Sequence, residues 1–390
     1  MARPSGHQVR IKEDLDSVKL AFVKKNYAPF GGAENYLKTV IEQLLSSGHE
    51  VHVFANRWVK QPGLYFHKIP SIDISSFISN LSFAVNEKRI LKRLSFDAIV
   101  SFERTVFQDI YRAGEGCHAE WLRLRAKIDP VWKRVSFSIN PLHITLLNLE
   151  KRLFSNTRII IANSDMGKSH IIKHYNVPEE RIRVIYNGVD LKRFSPENKK
   201  RWRTAVRSEY SVTDNTGLVL FVGSGFERKG LKTLLAAISS LNLNKAFLRL
   251  FVIGKGNTEK FKSIAEGYRV HDVVSFLGSQ TEIERFYAAA DLFVLPTVYD
   301  PFSNATIEAM ASGIPVITTK NNGASELIED GQEGFVLDDL LDAGELSDKI
   351  MLALDDAEIM GARARTKAEG FPIERAGCEF VDLISECLPS

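Results

Sequence analysis

Two acidic residues in the second half of the chain, Asp300 and Glu308, have a spacing that could serve ligand binding or catalysis. They flank the start of a predicted helix, whose N-cap we expect at Ser303 because serine is favoured there. At about 1.5 Å per residue, Glu308 would lie about 7.5 Å into that helix. Its apolar neighbours Ile307 and Ala309 argue against a solvated face, although a turn Asp and an exposed helical Glu remain the alternative. The pair suits an elongated ligand with hydroxyls at both ends and negative charge between them, such as a sugar, a diphosphate and a ribose in series.

The loop 223–230 is a candidate anion site. It follows a predicted strand, precedes a predicted helix and carries Arg228 and Lys229. Free N–H groups and the dipole at a helix N-terminus favour phosphate, and two cations strengthen that preference. The loop lacks the third glycine of a dinucleotide fingerprint, and Leu231 interrupts the sequence that a P-loop requires. A tight turn with solvated charges is the alternative.

Short apolar segments alternate with helical patterns in two series, which predicts an α/β fold with parallel sheets. The predicted strands of the first series are residues 18–23, 51–54, 98–102, 159–162 and 182–185. Those of the second series are residues 218–222, 248–253, 274–277, 292–295 and 315–318. Ligands of such sheets lie beyond the carboxyl ends of the strands, where both candidate loops fall. We therefore predict two doubly wound, Rossmann-like domains in tandem.

The length of 390 residues is compatible with this division. We predict a polar N-terminal tail over residues 1–16, a first domain over 17–195, a second domain over 196–370 and a C-terminal helix over 371–390 that could return to the first domain. Three widely spaced cysteines support neither a disulfide framework nor a zinc site. No apolar run reaches the roughly 18 residues of a membrane-spanning helix, and no export signal is visible, so we expect a cytoplasmic protein.

Charge is unevenly distributed, with a net +9 over residues 1–190 and −6 over residues 191–390. The first half is therefore expected to meet something anionic. Residues 121–152 interleave two tryptophans and other apolar residues with seven Lys and Arg, against two acids. This pattern is typical of a segment that lies on an anionic membrane surface. A core-facing helix with solvated cations is the alternative.

Further motifs accompany the two loops. They are Asn187-Gly-Val-Asp190, Arg193-Phe194, Ala290-Asp-Leu-Phe-Val-Leu-Pro296, Glu308-Ala-Met-Ala-Ser-Gly-Ile-Pro-Val316, Glu326-Leu-Ile-Glu-Asp-Gly331, Phe30-Gly-Gly-Ala-Glu34 and Gly48-His-Glu-Val51. Together they resemble the family 4 retaining glycosyltransferases, in which two Rossmann-like domains face each other across a cleft in the GT-B fold. Within the family, bacterial glucosyltransferases of the lipopolysaccharide inner core are the nearest resemblance. The segments that suggest it are Lys25-Asn-Tyr-Ala-Pro-Phe-Gly-Gly32, Gly223-Ser-Gly-Phe-Glu-Arg-Lys-Gly230 and Tyr111-Arg-Ala-Gly-Glu-Gly-Cys-His-Ala-Glu120.

The resemblance implies an acceptor-binding first domain, a donor-binding second domain and a role for each matching residue. Glu308 would bind the ribose, Asp300 the sugar hydroxyls, and Arg228 with Lys229 the diphosphate. His118 would contact the donor sugar, and Glu115 would act near the acceptor. The remaining donor-binding residues implied are Gly31, Gly32, Phe302, Ser303 and Asn304.

Three departures from the family pattern concern the donor. Asp300 stands where Glu is usual, Ser303 where Gly is usual, and Ser224 where an arginine often follows the first glycine of the diphosphate loop. The first two positions contact the sugar, so the identity of the sugar is affected more than the chemistry. The cations at Arg228 and Lys229 and the lack of a DxD pair at a strand end predict catalysis without a metal ion, and no cofactor is expected.

The resulting hypothesis is a retaining hexosyltransferase that moves glucose from a UDP-sugar to a lipid-linked or lipopolysaccharide-core glycan at the inner face of the cytoplasmic membrane. A UDP-sugar epimerase of the same fold is one alternative. A polyanion-binding protein is another, although the basic first half carries no nucleic-acid-binding module, so no nucleic acid partner is expected.

Overall fold

The computed structural model describes residues 17–26, 32–59, 61–241, 247–339 and 341–387. Within them, two parallel β-sheets confirm the predicted α/β fold. The first sheet contains β1 (Lys19–Val23), β2 (Glu50–Ala55), β3 (Tyr65–Lys68), β4 (Ala98–Ser101), β5 (Ile110–Arg112), β6 (Ile159–Ala162) and β7 (Ile182–Val184). The second contains β8 (Gly217–Val222), β9 (Leu248–Ile253), β10 (Val274–Gly278), β11 (Leu292–Leu295), β12 (Val316–Thr319) and β13 (Gly334–Leu337).

Helices connect these strands. In the first half they are α1 (Gly32–Ser46), α2 (Ser76–Leu91), α3 (His118–Ile128), α4 (Val131–Ile139), α5 (Pro141–Asn156) and α6 (Asp165–Tyr175). In the second half they are α7 (Asn198–Glu209), α8 (Leu231–Ser240), α9 (Thr258–Gly267), α10 (Glu284–Ala289), α11 (Asn304–Ala311), α12 (Ala343–Asp355), α13 (Ala357–Ala368) and α14 (Ile373–Cys387).

Both sheets have the strand order of doubly wound folds. The first runs β3-β2-β1-β4-β5-β6-β7 and the second β10-β9-β8-β11-β12-β13. The order reverses between β1 and β4 and between β8 and β11, and ligands of such sheets bind at this switch point. The central strands are buried apolar runs, as expected where both faces of a parallel sheet are covered.

The sequence pattern missed three strands, β3, β5 and β13, for physical reasons. The edge strand β3 is only partly buried and contains two polar residues, His67 and Lys68. The strand β5 has three residues and ends on Arg112, so it has no apolar run of the usual length. The strand β13 has four residues and begins at a glycine with φ of 149°.

The C-terminal helix α14 packs against α1, in the first half of the chain. The rings of Tyr36 and Phe380 meet edge to face at 5.9 Å, and Gln43 donates to the carbonyl of Glu374 at 3.1 Å. The chain that leads to α14 passes beside Gly188, where a β-carbon would lie 2.3 Å from the Cα of Ile373. Glycine is therefore required where the two connecting segments cross.

Between β5 and β6, the chain forms the three successive helices α3, α4 and α5. Within α4, which the structure describes completely, no residue is buried. Searched over its described residues, the chain has no helix that combines the length and the apolar character needed to cross a membrane.

The carboxyl group of Glu87, in α2, predicts an unusual pH dependence of stability. The side chain is fully buried, and burial raises its pKa to about 9. This carboxyl is neutral in the folded protein but ionised in the unfolded chain. The free energy of unfolding therefore falls by about 1.4 kcal/mol per pH unit as pH rises from about 4.5 to about 9. Because glutamine does not titrate, the free energy of unfolding of Glu87→Gln should be higher, relative to that of the parent, at pH 7.5 than at pH 5.5.

Urea unfolding at both pH values measures this difference. The control is Glu259→Gln, whose side chain is 83% exposed, and it should show the same small effect at both values. A stability difference for Glu87→Gln that does not change with pH would contradict the prediction.

Candidate active site

Two loops meet at the switch point of the second sheet. Residues 223–230 follow β8, and residues 296–303 follow β11. The carbonyl of Arg228 accepts the N–H of Val298 at 2.8 Å, and the guanidinium of Arg228 donates to the carbonyl of Tyr299 at 3.0 Å. The two loops that the sequence singled out therefore form one unit.

A buried ion pair between Lys229 and Asp300 joins the same loops. The two side chains are only 10% and 9% exposed. Burial lowers the pKa of Lys229, and the charge of Asp300 opposes that effect. At position 223 a β-carbon would lie 3.0 Å from Cγ of Lys229, so a larger residue would require the Lys229 side chain to shift by a few tenths of an ångström. An ammonium group has three donors, so Lys229 can bind Asp300 and an anion together.

The backbone from Asp300 to Ser303 is held by Asn321 and Asn322, which the sequence analysis missed. The N–H of Asp300 donates to the carbonyl of Asn321 at 2.9 Å. The fully buried Asn322 amide accepts the N–H of Ser303 at 3.0 Å and donates to the hydroxyl of Thr318 at 2.9 Å. Nothing in an Asn-Asn-Gly turn distinguishes this role from that of an ordinary loop residue.

The start of α11 has the predicted position. Ser303 occupies the N-cap, but its hydroxyl makes no capping bond and, although buried, has no hydrogen-bond partner among the described residues. Phe302 is buried, with its ring 5.9 Å from that of Tyr186. Asn304 accepts a hydrogen bond from the amide of Asn187 at 2.7 Å. This last contact connects the helix to the segment that follows the first sheet.

Glu308 lies further along α11 and faces a cavity of about 290 Å³, which Asn304, Arg193 and Lys38 of α1 also line. The hydroxyl of Tyr287 donates to its carboxylate at 3.0 Å. Burial raises the pKa of Glu308 to about 7, against the opposing effects of Tyr287 and Arg193. The group is therefore close to half-ionised at neutral pH.

In the first half of the chain, Glu115 and His118 have different surroundings. Glu115 forms an ion pair with Arg104, which lowers the pKa of its carboxyl group. His118 is buried, its ring nitrogen lies 3.1 Å from that of His143, and burial lowers its pKa to about 3. His118 is therefore neutral at physiological pH.

Glu150, in α5, organises both of these residues. Its fully buried carboxylate accepts the N–H of His118 at 2.8 Å, the Nε–H of Arg104 at 2.9 Å and the hydroxyl of Tyr175 at 2.5 Å. Sequence reasoning counted Glu150 only as an acid within a basic segment. Its role depends on helices that are distant in the chain, so no local pattern could indicate it.

A second cavity, of about 200 Å³, lies next to Glu115. Its lining combines apolar side chains with charged and amide groups. Burial raises the pKa of Glu103 and lowers that of Lys25, two residues of this lining. The lining residues are Lys25, Ser76, Asn80, Phe83, Glu103, Arg104, Glu115, Leu142 and Leu146.

A larger cavity, of about 600 Å³, lies between α7 and α13 rather than at the switch point. Its cations already have partners in the protein. Lys199 donates to the carbonyl of Gly313 at 3.0 Å, Arg203 pairs with Asp291 at 2.6 Å, and Arg365 donates to the carbonyl of Ala311 at 2.8 Å. These contacts stabilise the second domain, and we do not assign this cavity to the site.

The structure thus brings Arg228, Lys229 and Asp300 together and places the other second-half candidates along the start of α11. Gly31 lies outside the described residues, and Gly32 is the first residue of α1. The turn that carries Glu115 and His118 reaches the second half through the N–H of Cys117, which donates to the hydroxyl of Tyr299 at 2.9 Å. Over the described residues, no group of three or more His, Cys, Asp or Glu side chains could hold a metal ion.

Comparison with known proteins supports the resemblance to family 4 glycosyltransferases that the sequence motifs indicate. The family models described as Glycosyltransferase Family 4 and Glycosyl transferases group 1 match residues 30–193 and 203–370. The lipopolysaccharide glucosyltransferase WaaG of Escherichia coli K12 is 25% identical over 352 residues, which are 88% of this chain and 92% of WaaG.

Two solved structures have the same fold. A crystal structure of WaaG superimposes with a TM-score of 0.79 at 24% identity, covering 94% of this chain and 99% of the other. Anabaena Alr3699/HepE, solved in complex with UDP-glucose, superimposes with a TM-score of 0.70 at 18% identity, covering 95% of this chain and 100% of the other.

Gly230 is required for the geometry of the switch point. Its φ is 77°, and a β-carbon would lie 1.8 Å from the carbonyl oxygen of Pro296. Gly225 has the same φ of 77° but nothing within 4 Å. Gly225→Ala should therefore cost only the backbone strain, about 1–2 kcal/mol, whereas Gly230→Ala should cost clearly more because the β11–α11 loop must move. Chemical denaturation of both variants measures the difference, and equal losses of stability would refute it.

Proposed function

Because the chain belongs to the family 4 glycosyltransferases, of the GT-B type, we propose that it transfers a hexose, glucose, from a UDP-sugar to a lipid-linked or lipopolysaccharide-core glycan with retention at the anomeric carbon. The observation that carries the proposal is the buried Lys229–Asp300 pair at the switch point, with Glu308 on the helix that follows. This arrangement provides a cation for a diphosphate and two carboxylates for hydroxyl groups.

The donor site is proposed at the β8–α8 and β11–α11 loops. Lys229 and Arg228 bind the diphosphate. Asp300, held by Lys229, accepts hydrogen bonds from hydroxyl groups of the sugar. As the bond to the anomeric carbon breaks, negative charge grows on the leaving diphosphate. Removing one preorganised stabilising group from such a site costs about 3–4 kcal/mol. Since two cations supply this stabilisation, the proposed reaction needs no metal ion.

Support for UDP-glucose comes from the residues and from the relatives. The Glu308 carboxylate, half-buried beside Tyr287, is suited to accept two hydrogen bonds from ribose hydroxyls. WaaG is a glucosyltransferase by name, and HepE was solved in complex with UDP-glucose.

We assign the acceptor sugar to the cavity of about 200 Å³ beside Glu115. The apolar side chains of Phe83 and Leu146 in its lining suit one face of a sugar ring, and the polar groups of Asn80 and Glu103 suit its hydroxyl groups. Such a cavity favours a transferase over a UDP-sugar epimerase, which has no acceptor. The polyanion-binding alternative has less support, since Arg104 and Arg125 of the basic half are engaged in ion pairs.

Retention is proposed through attack of the acceptor hydroxyl on the face from which the diphosphate leaves. A double displacement, as in retaining glycosidases, needs a free carboxylate at the anomeric carbon. Both candidate carboxylates are already engaged, Asp300 by Lys229 and Glu115 by Arg104. The neutral imidazole of His118 suits a hydrogen bond to the donor sugar rather than the binding of an anion.

Helix α4 is the proposed membrane contact. Val131, Trp132, Val135 and Ile139 are between 61% and 71% exposed and share one face of the helix. Lys127 lies exposed just before this helix. An exposed apolar face beside cations fits an anionic bilayer surface. The enzyme is accordingly proposed to act as a peripheral protein at the cytoplasmic face of the membrane.

Glu308→Gln should weaken UDP binding by about 1.5–3 kcal/mol, because a charged hydrogen-bond acceptor is lost. Since the pKa of Glu308 is about 7, the parent's advantage over the variant should grow from pH 6 to pH 8 as the carboxylate ionises. Asp300→Asn should instead slow the reaction itself, measured as the rate at which UDP is formed from UDP-glucose. Isothermal titration and a UDP-release assay measure these effects.

The control for this experiment is Glu329→Gln, an exposed glutamate of the same domain. It should bind UDP as the parent does at every pH. If Glu308→Gln also keeps the parent's affinity from pH 6 to pH 8, the ribose assignment is wrong.

The double variant Trp132→Ser with Val135→Ser should bind anionic vesicles at least about tenfold more weakly, because two large apolar groups no longer enter the bilayer surface. Cosedimentation with vesicles of phosphatidylglycerol and phosphatidylcholine measures this. The control Ile359→Ser removes a 57% exposed apolar residue from α13 and should have no effect. Equal binding by all three proteins would exclude α4 as the contact.

A further inference from the structure

The segment that contains the donor carboxylate Asp300, residues 298–301, lies against the helix that leads to the proposed membrane contact. Tyr299 is buried, and its hydroxyl accepts the N–H of Cys117, the N-cap residue of α3, at 2.9 Å. Gly116 allows this approach, since its β-carbon would lie 2.4 Å from the Tyr299 hydroxyl and 2.5 Å from Pro301. The contact therefore joins the two halves of the chain through a close backbone fit.

Apolar packing extends the same contact along α3. Leu124 forms a small buried cluster with Val298 and Tyr299, and Trp121 and Ile128 pack on it. Residues 121, 124 and 128 share one face of a helix, so α3 presents a continuous apolar face to the donor segment. Two residues after α3, the chain enters α4, in which no residue is buried. Helix α4 contacts α3 and α5, and the guanidinium of Arg125 in α3 lies 5.1 Å from the centre of the Phe137 ring in α4.

On its other side, Tyr299 is part of the donor site. Arg228 donates to its carbonyl at 3.0 Å, and the next residue is Asp300, the partner of Lys229. One residue therefore contacts both the group that would hold the diphosphate and the first turn of α3.

We propose that Tyr299 is a positioning residue that couples donor binding to membrane binding, so that each increases the affinity for the other. A bilayer that holds α4 restrains α3 and its contact with Tyr299, and a donor that holds Arg228 and Asp300 restrains the same contact from the other side. The second ligand then meets a contact that is already ordered. This inference rests on the proposed function, because it requires both a UDP-binding site and a membrane-binding helix.

Thermodynamic linkage provides the test, because the coupling must be equal in both directions. The affinity of the full chain for UDP is measured with and without saturating vesicles of phosphatidylglycerol and phosphatidylcholine. Its affinity for the same vesicles is then measured with and without saturating UDP. Both affinities should increase by the same factor, about fivefold or more.

Tyr299→Phe removes the hydroxyl and keeps the ring in its cluster, so it should reduce this factor toward one while the melting temperature changes little. Leu124→Ala weakens the same contact on the α3 side and should also reduce this factor. The control is Tyr268→Phe, whose ring packs on the core of the donor domain, and it should keep the parent's factor.

The outcomes separate this inference from the proposed function. If the chain fails to bind UDP or the vesicles, the proposed function is wrong and the coupling falls with it. If it binds both independently, with a factor of one in each direction, the coupling is refuted and the proposed function stands. A Tyr299→Phe variant with the parent's factor would refute the role of Tyr299.

Discussion

The candidate site depends on one buried ion pair, Lys229 with Asp300, whose side chains are about nine-tenths buried. A charge that has lost its water needs a partner, and removing one member of a buried pair costs about 3–5 kcal/mol. The pair therefore joins the two loops of the switch point together with the hydrogen bonds that Arg228 makes to Val298 and Tyr299. The same pair leaves donors of the ammonium group for an anion, so the interaction that stabilises the loops also prepares the site.

The first half of the chain uses the same physical principle with different residues. The buried carboxylate of Glu150 accepts hydrogen bonds from the N-terminus of α3, from Arg104 and from Tyr175. It therefore fixes the turn that carries Glu115 and His118, and the N–H of Cys117 in this turn meets Tyr299 of the second half. Buried polar groups that are fully hydrogen-bonded specify one arrangement, because any other leaves a group unsatisfied at a cost. Both sides of the cleft are thus positioned by buried charges rather than by flexible surface contacts.

Much of the fold could be predicted from the sequence, because strands buried on both faces must be continuous apolar runs, as in β8 and β9. The edge strand β3 and the three-residue strand β5 lack that constraint and were missed. In the site, Arg228 and Lys229 were found because they lie in a glycine-containing loop after a strand, and Asp300 and Glu308 because their spacing brackets the start of a helix. Asn322, Glu150, Tyr287 and Tyr299 were not, because an isolated Asn, Glu or Tyr has no local pattern that distinguishes a positioning role.

By itself, the sequence determined the class of fold, the two switch-point loops, the charge available in each and the family to which the chain belongs. These properties depend on residues close together in the chain, where periodicity and glycine spacing have direct structural meaning. Only the tertiary structure decided that Lys229 pairs with Asp300, that His118 is neutral, that Glu308 has a pKa of about 7 and that α3 meets Tyr299. Each of these depends on burial and on partners from distant segments, since the energy of a charged or polar group is set by the surroundings that folding creates.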